Sequence, residues 1–289
     1  MIRLPGILKV AAVLLAEFLT VYVLFNDSLI AGIVTGMVTL YVLFGGYISL
    51  FKEGAVRVDK LPNYEQTRLV SAKNQLVKEV KDTSSADISN IKFYLIPGDS
   101  ELQATAYGAN CVSVSRGAFD NTDPLTLNAV LGHEISHTLN LDAEFSRAVF
   151  SAILLLCGAL SVISFAFMAV IFLVFLVCSF FRSWLGVVAF RGTTKAVGGI
   201  FGLFQKGIVV IYRAVASGLS RSAEYRSDLY SAQLGYGLQL AHFLSYAAIE
   251  SNRHLTLTEA LYRTHPATPK RVARLEAYVS DETHLELKK

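Results

Sequence analysis

The chain has 289 residues and a formal net charge of +3, with 53% hydrophobic and only 17% charged residues. Soluble domains carry about 25% charged residues. This deficit, with a mean hydropathy of +0.46, excludes a disordered chain. The small net charge leaves no electrostatic footprint for nucleic acid, and three cysteines are too few for a disulfide framework.

The apolar excess is localised. Ile7–Phe25 carries two charges, Lys9 near its start and Glu17 within it, and Leu29–Phe51 carries none, with Asn26, Asp27 and Ser28 between them. Each stretch can cross a ~30 Å hydrocarbon core at ~1.5 Å per residue, so residues 1–51 read as a transmembrane hairpin. The first stretch exceeds the apolar region of a signal peptide and no A-x-A site follows it, so it reads as a retained span. Glu17 is costly in lipid and is expected to face other helices or to snorkel; an ion or proton site is the sharper alternative. Gly32 and Gly36 have the small-xxx-small spacing that lets helices approach closely.

A third apolar block, Ala148–Phe181, lies between Arg147 and Arg182. It is longer than one crossing needs, so it must tilt, protrude or turn near Gly158. A fourth segment, Trp184–Ser217, places Arg191, Lys195, Lys206 and Arg213 on one helical stripe. That stripe faces neighbouring helices, snorkels or lies at the interface, or it lines a polar cleft or contacts lipid headgroups. Residues 148–217 are therefore read as two further membrane segments. Basic residues Arg3 and Lys9 stand at the N-terminal end of the first span, and Lys52, Arg57 and Lys60 follow the second. The positive-inside rule then puts the N-terminus and the segment after residue 51 in the cytoplasm. Cys111, Cys157 and Cys178 sit in reducing surroundings or in lipid and read as packing residues.

Two polar segments remain, residues 52–147 and 218–289. The first opens with an amphipathic helix over about Tyr64–Lys81. Ile91–Ile96 reads as a strand ended by Pro97-Gly98-Asp99, and Cys111–Ser115 alternates as a half-buried or edge strand does. Asp123-Pro124 is an N-cap and first-turn proline, so a helix runs from Pro124 to about Leu141. The second segment reads as helices over about Ser220–Leu234, Leu238–Ser251, Thr258–Arg263 and Pro269–Val279.

The helix from Pro124 contains His133-Glu134-Ile135-Ser136-His137. Histidines four apart on a helix share a face and can bind one Zn2+. The glutamate between them can act as general base. By composition alone about 0.006 such matches are expected. A catalytic site needs a third protein ligand and an open fourth position. Glu224 and Asp228 share a helix face, so one can bind metal while the other orients a histidine. Both halves must lie on one side of the membrane, so the chain between them crosses it an even number of times.

These motifs, in order, resemble HtpX-type membrane metalloproteases, whose relatives include the CAAX prenyl proteases. The resemblance rests on the HExxH helix, Asn140-Leu141-Asp142, two apolar spans, Ser220-Arg221-x-x-Glu224-Tyr225-x-x-Asp228 and Thr264-His265-Pro266-x-x-x-x-Arg271. It covers nearly the whole chain. It implies a mainly α integral membrane protein with about four transmembrane helices and a zincin-like α+β protease part carrying a small β-sheet.

The resemblance also implies one Zn2+ per chain, held by His133, His137 and Glu224, with Glu134 as base. It makes Asp228 a support of the metal site, His265 a partner of the tetrahedral intermediate, and Arg271 a partner of the acidic cluster. Gln103–Gly108 departs from the family's usual Asn-Ala-Phe-Ala-x-Gly, and Ser227 stands where alanine is usual. Substrate is expected to lie beside Cys111, Val112, Ser113, Val114 and Ser115, adding to the sheet edge.

The implied partners are the lipid bilayer and polypeptide substrates, membrane proteins above all. The implied location is a bacterial inner membrane, and the implied role is protein quality control. A specific processing protease would need a larger chamber and more spans. A non-catalytic chaperone or scaffold would not need Glu134, and a small transporter would depend on Glu17 instead.

Overall fold

A computed structural model describes residues 4–84, 86–108, 110–180, 184–250 and 268–286. Helices α1 (Leu4–Phe25) and α2 (Ser28–Lys52) form the N-terminal hairpin. Its turn is made by the polar break: the Asp27 carboxylate accepts from the backbone N–H groups of Leu29 (2.7 Å) and Ile30 (3.1 Å), capping α2. Strand β1 (Val56–Arg57) and helix α3 (Asn63–Thr83) follow. Next come β2 (Lys92–Ile96), β3 (Ala104–Gly108), β4 (Cys111–Ser115) and the short α4 (Arg116–Asp120). Then come α5 (Pro124–Leu139), α6 (Asp142–Phe180), α7 (Trp184–Ser231), α8 (Gly237–Glu250) and α9 (Thr268–Glu286).

Among the described residues four helices are long and apolar enough to cross a membrane, and they belong to α1, α2, α6 and α7. Helix α6 runs 39 residues without a break, about 58 Å at 1.5 Å per residue. Gly158 therefore makes no turn. Helix α7 is 48 residues long and continues through the expected start at Ser220, so one rod carries both the fourth apolar segment and Glu224. The two rods pair with opposite direction. Phe201 meets Phe167 at 6.0 Å between ring centroids, Phe190 meets Phe175 at 4.5 Å, and the Gln205 amide donates to Ser161 Oγ at 2.8 Å. Arg191, Lys195 and Lys206 are exposed, so these three residues of the basic stripe face away from the neighbouring helix.

Glu17 is buried and accepts from the Ser151 hydroxyl at 2.8 Å, so it faces α6. A Cβ added at Gly32 or Gly36 would meet nothing within 4 Å, so among the described residues no other element approaches closely there. Close approach occurs instead at Gly46, where an added Cβ would strike the Tyr107 carbonyl oxygen of β3.

Helix α3 buries Leu69, Ala72, Leu76 and Val80, one face at helical spacing. With Phe93, Leu95, Val112, Val114 and the apolar side of α5 they form the core of the polar half. The sheet order is β1-β2-β4-β3; β2 and β4 are parallel and the outer pairs antiparallel. This corrects the expectation for Cys111–Ser115. That strand is paired on both sides and all five residues are buried, so no chain can add to it. Its alternation is real but misleading. Ser115 Oγ is satisfied internally, donating toward the carbonyls of Glu101 (2.5 Å) and Gln103 (2.9 Å). The edge strand beside it is β3.

A methyl at Gly46 has only backbone to displace. Gly46→Ala is expected to destabilise the folded protein by about 1–3 kcal/mol, as overpacking does. Gly32→Ala, into open space, leaves stability unchanged or slightly raised. Paired thermal unfolding of the two variants in one detergent checks this.

Candidate metal centre

Helix α5 starts where Asp123 accepts from Leu125 N–H (2.9 Å) and Thr126 N–H (3.1 Å), with Pro124 in the first turn. It is buried along most of its length, so its histidines face protein. His133 Nε2 and His137 Nε2 lie 3.2 Å apart. Glu224, delivered by α7, places Oε2 3.5 Å from His133 Nε2 and Oε1 3.6 Å from His137 Nε2. A tetrahedral zinc with bonds near 2.0–2.1 Å has ligand atoms about 3.3 Å apart. These three donors already have roughly that spacing, so the residues fit the ion.

Each imidazole is backed by a carboxylate on its other nitrogen. His133 Nδ1 lies 3.0 Å from Asp228 Oδ1, and His137 Nδ1 lies 2.9 Å from Asp142 Oδ2. Each carboxylate is backed by cations. Arg271 donates from Nε to Asp228 Oδ2 (2.8 Å) and from Nη2 to Oδ1 (2.6 Å), while its Nη1 reaches Glu224 Oε2 at 2.9 Å. Asp142 is met by Arg226 and, at 3.1 Å, by Lys9. Asp142 reaches back to α5 because Leu141 takes a left-handed φ of 54°, which ends α5 and starts α6 within two residues. Such a conformation is uncommon for a non-glycine residue.

Glu134 Oε2 accepts the Ala106 N–H of β3 at 2.8 Å, which fixes its carboxylate between the sheet edge and the histidines. Burial raises the Glu134 pKa, and the two histidines offset this only in part. Burial alone would lower the His133 pKa, but the Asp228 and Glu224 carboxylates outweigh it and raise it to about 9. Burial also works against the Arg271 charge, yet Asp228 and Glu224 hold it firmly protonated. The whole group opens on a cleft of about 560 Å³, with Thr105 on the strand side and Tyr212 and Phe243 on the helix side.

The structure thus brings together His133, Glu134, His137, Glu224, Asp228 and Arg271. His265 lies outside the described residues. Cys111–Ser115 lies one strand away from the cleft, and Ala104–Ala106 of β3 lines it instead. Sequence reasoning gave no role at the metal centre to Asp142, Lys9, Arg226 or Ala106. The Asn140-Leu141-Asp142 run was visible, but its use depends on the left-handed turn.

The fold and site define a candidate metal centre carried by helices long and apolar enough to cross a membrane. Residues 71–279 match peptidase family M48, and the chain belongs to that family. The crystal structure of S. mikatae Ste24p has a similar fold, with a TM-score of 0.53 over 91% of this chain at 17% identity. This chain spans 62% of that one's length. Among curated proteins no match is found.

Removing the charge behind His133 is expected to loosen its ring without removing a ligand. Asp228→Asn lowers divalent-metal affinity by about 10–100-fold, while Glu224→Ala abolishes tight binding. Competition against a chelator of known affinity measures both.

Proposed function

We propose that this protein is a membrane-embedded, zinc-dependent endopeptidase that cleaves misfolded or damaged membrane proteins, and unfolded soluble ones. The observation that carries this reading is the near-tetrahedral spacing of His133, His137 and Glu224 beside Glu134 in one cleft. When bound, Zn2+ would act as a Lewis acid toward the scissile carbonyl and make water acidic near neutral pH.

The chain's own residues supply the rest. Glu134 takes the proton of the attacking water on its carboxylate and returns it to the leaving amine. Asp228 and Asp142 hold the two imidazoles with Nε2 turned toward the metal position. Arg271 keeps Asp228 and Glu224 from repelling one another. His265 is assigned to the developing oxyanion.

Substrate lies extended along the outer edge of β3. Main-chain pairing there gives affinity with little sequence preference, which suits degradation of varied unfolded segments. Basic residues at both cytoplasmic flanks of the N-terminal hairpin support an active site facing the cytoplasm, in a bacterial inner membrane.

Glu134→Gln keeps the hydrogen-bonding shape and removes the base. With zinc present, cleavage of casein and self-cleavage are expected to fall by about 10²–10⁴-fold, with zinc still bound. Equal cleavage by the two purified proteins would reject the mechanism.

A further inference from the structure

Lys9 stands in the first turns of the N-terminal apolar helix, where a lone lysine usually extends toward the headgroups. Its ammonium is held instead. Lys9 Nζ lies 3.1 Å from Asp142 Oδ1 and 5.1 Å from the centroid of the Phe145 ring. Asp142 presents its other oxygen, Oδ2, to His137 Nδ1 at 2.9 Å. The helix is fixed at this level by a second contact: a Cβ on Gly6 would lie 2.6 Å from the Asn140 carbonyl oxygen. The start of α1 is therefore seated on the end of the HExxH helix.

The division of the carboxylate matters. Arg226 shares Oδ2 with His137, and Lys9 takes Oδ1. A guanidinium prefers to grip both oxygens of a carboxylate. Without Lys9, only the His137 contact opposes rotation of Asp142 into a two-pronged pair with Arg226, which draws Oδ2 away from the imidazole.

We propose that Lys9 is a positioning residue of the metal centre. By holding Asp142 Oδ1 it keeps Oδ2 on His137 and so aims His137 Nε2 at the metal. Lys9 lies outside residues 71–279, the part of the chain that matches the peptidase family. The first span then completes the centre as well as anchoring it. This deepens the proposed function and rests on its assignment of His137 as a ligand.

The test uses the full-length protein in detergent. Lys9→Met is expected to weaken Zn2+ binding by about 10–100-fold and to alter the visible absorption of the Co2+-loaded protein. Lys9→Arg is expected to restore both. The double change Leu8→Lys with Lys9→Met keeps the flanking charge for membrane insertion but turns it about 100° around the helix; it should behave as Lys9→Met.

His133→Ala separates the two levels. If it fails to abolish metal binding, the metal-centre reading itself falls. If His133→Ala abolishes binding while Lys9→Met keeps wild-type affinity and spectrum, the role of Lys9 is overturned. Recovery in the double variant would overturn it too, by assigning the effect to insertion.

Discussion

Burying carboxylates is costly unless each is paired, and this constraint organises the molecule. Glu134, Glu224, Asp228 and Asp142 share one interior with His133 and His137, and Arg271, Arg226 and Lys9 stand behind them. Four acids face three cations, and the Asp228 and Glu224 carboxylates favour positive charge at His133, which a divalent cation at the Nε2 atoms would supply. The pattern is repeated twice, cation to carboxylate to imidazole, once for each histidine. To build it the chain must deliver side chains from α1, α5, α6, α7 and α9 to one point, so the cluster ties the membrane helices to the polar half.

The candidate ligands were legible because helical spacing is a local property. His133 and His137 lie on one face whatever surrounds them, and Glu224 and Asp228 likewise. Capping residues marked the start of α5 for the same reason. The edge of the sheet was not legible. Ala104–Gly108 is rich in alanine, which has little preference for strands, so β3 went unread and the more regular Cys111–Ser115 took its place. Strand order is set by which faces are covered, and serines satisfied by loop carbonyls imitate a solvated face. The roles of Lys9, Arg226 and Asp142 depend on pairs separated by up to 133 positions, which no local pattern records. Gly32 and Gly36 show the reverse error, a familiar spacing that meets nothing, while Gly46 meets backbone without any motif.

The two longest helices explain how a site split by an apolar region stays whole. Helix α6 leaves the centre at Asp142 and α7 returns to it at Glu224, paired by aromatic contacts along the way. An even number of crossings is met by a single hairpin of rods. Neither rod has a break between its apolar stretch and the cluster, so the register of the pair sets the height at which Glu224 meets the histidines.

The order of these parts along the chain also imposes a timetable. His133, Glu134 and His137 emerge from the ribosome first, Glu224 follows 87 residues after His137 and Arg271 later still. At about 5–20 residues per second, the third ligand trails the second by roughly 4–17 s. Throughout that interval the nascent chain holds an incomplete donor set. On the proposed function, a hydrolase assembled in this sequence stays inert while its own unfolded spans are entering the membrane, when it would be most exposed to itself.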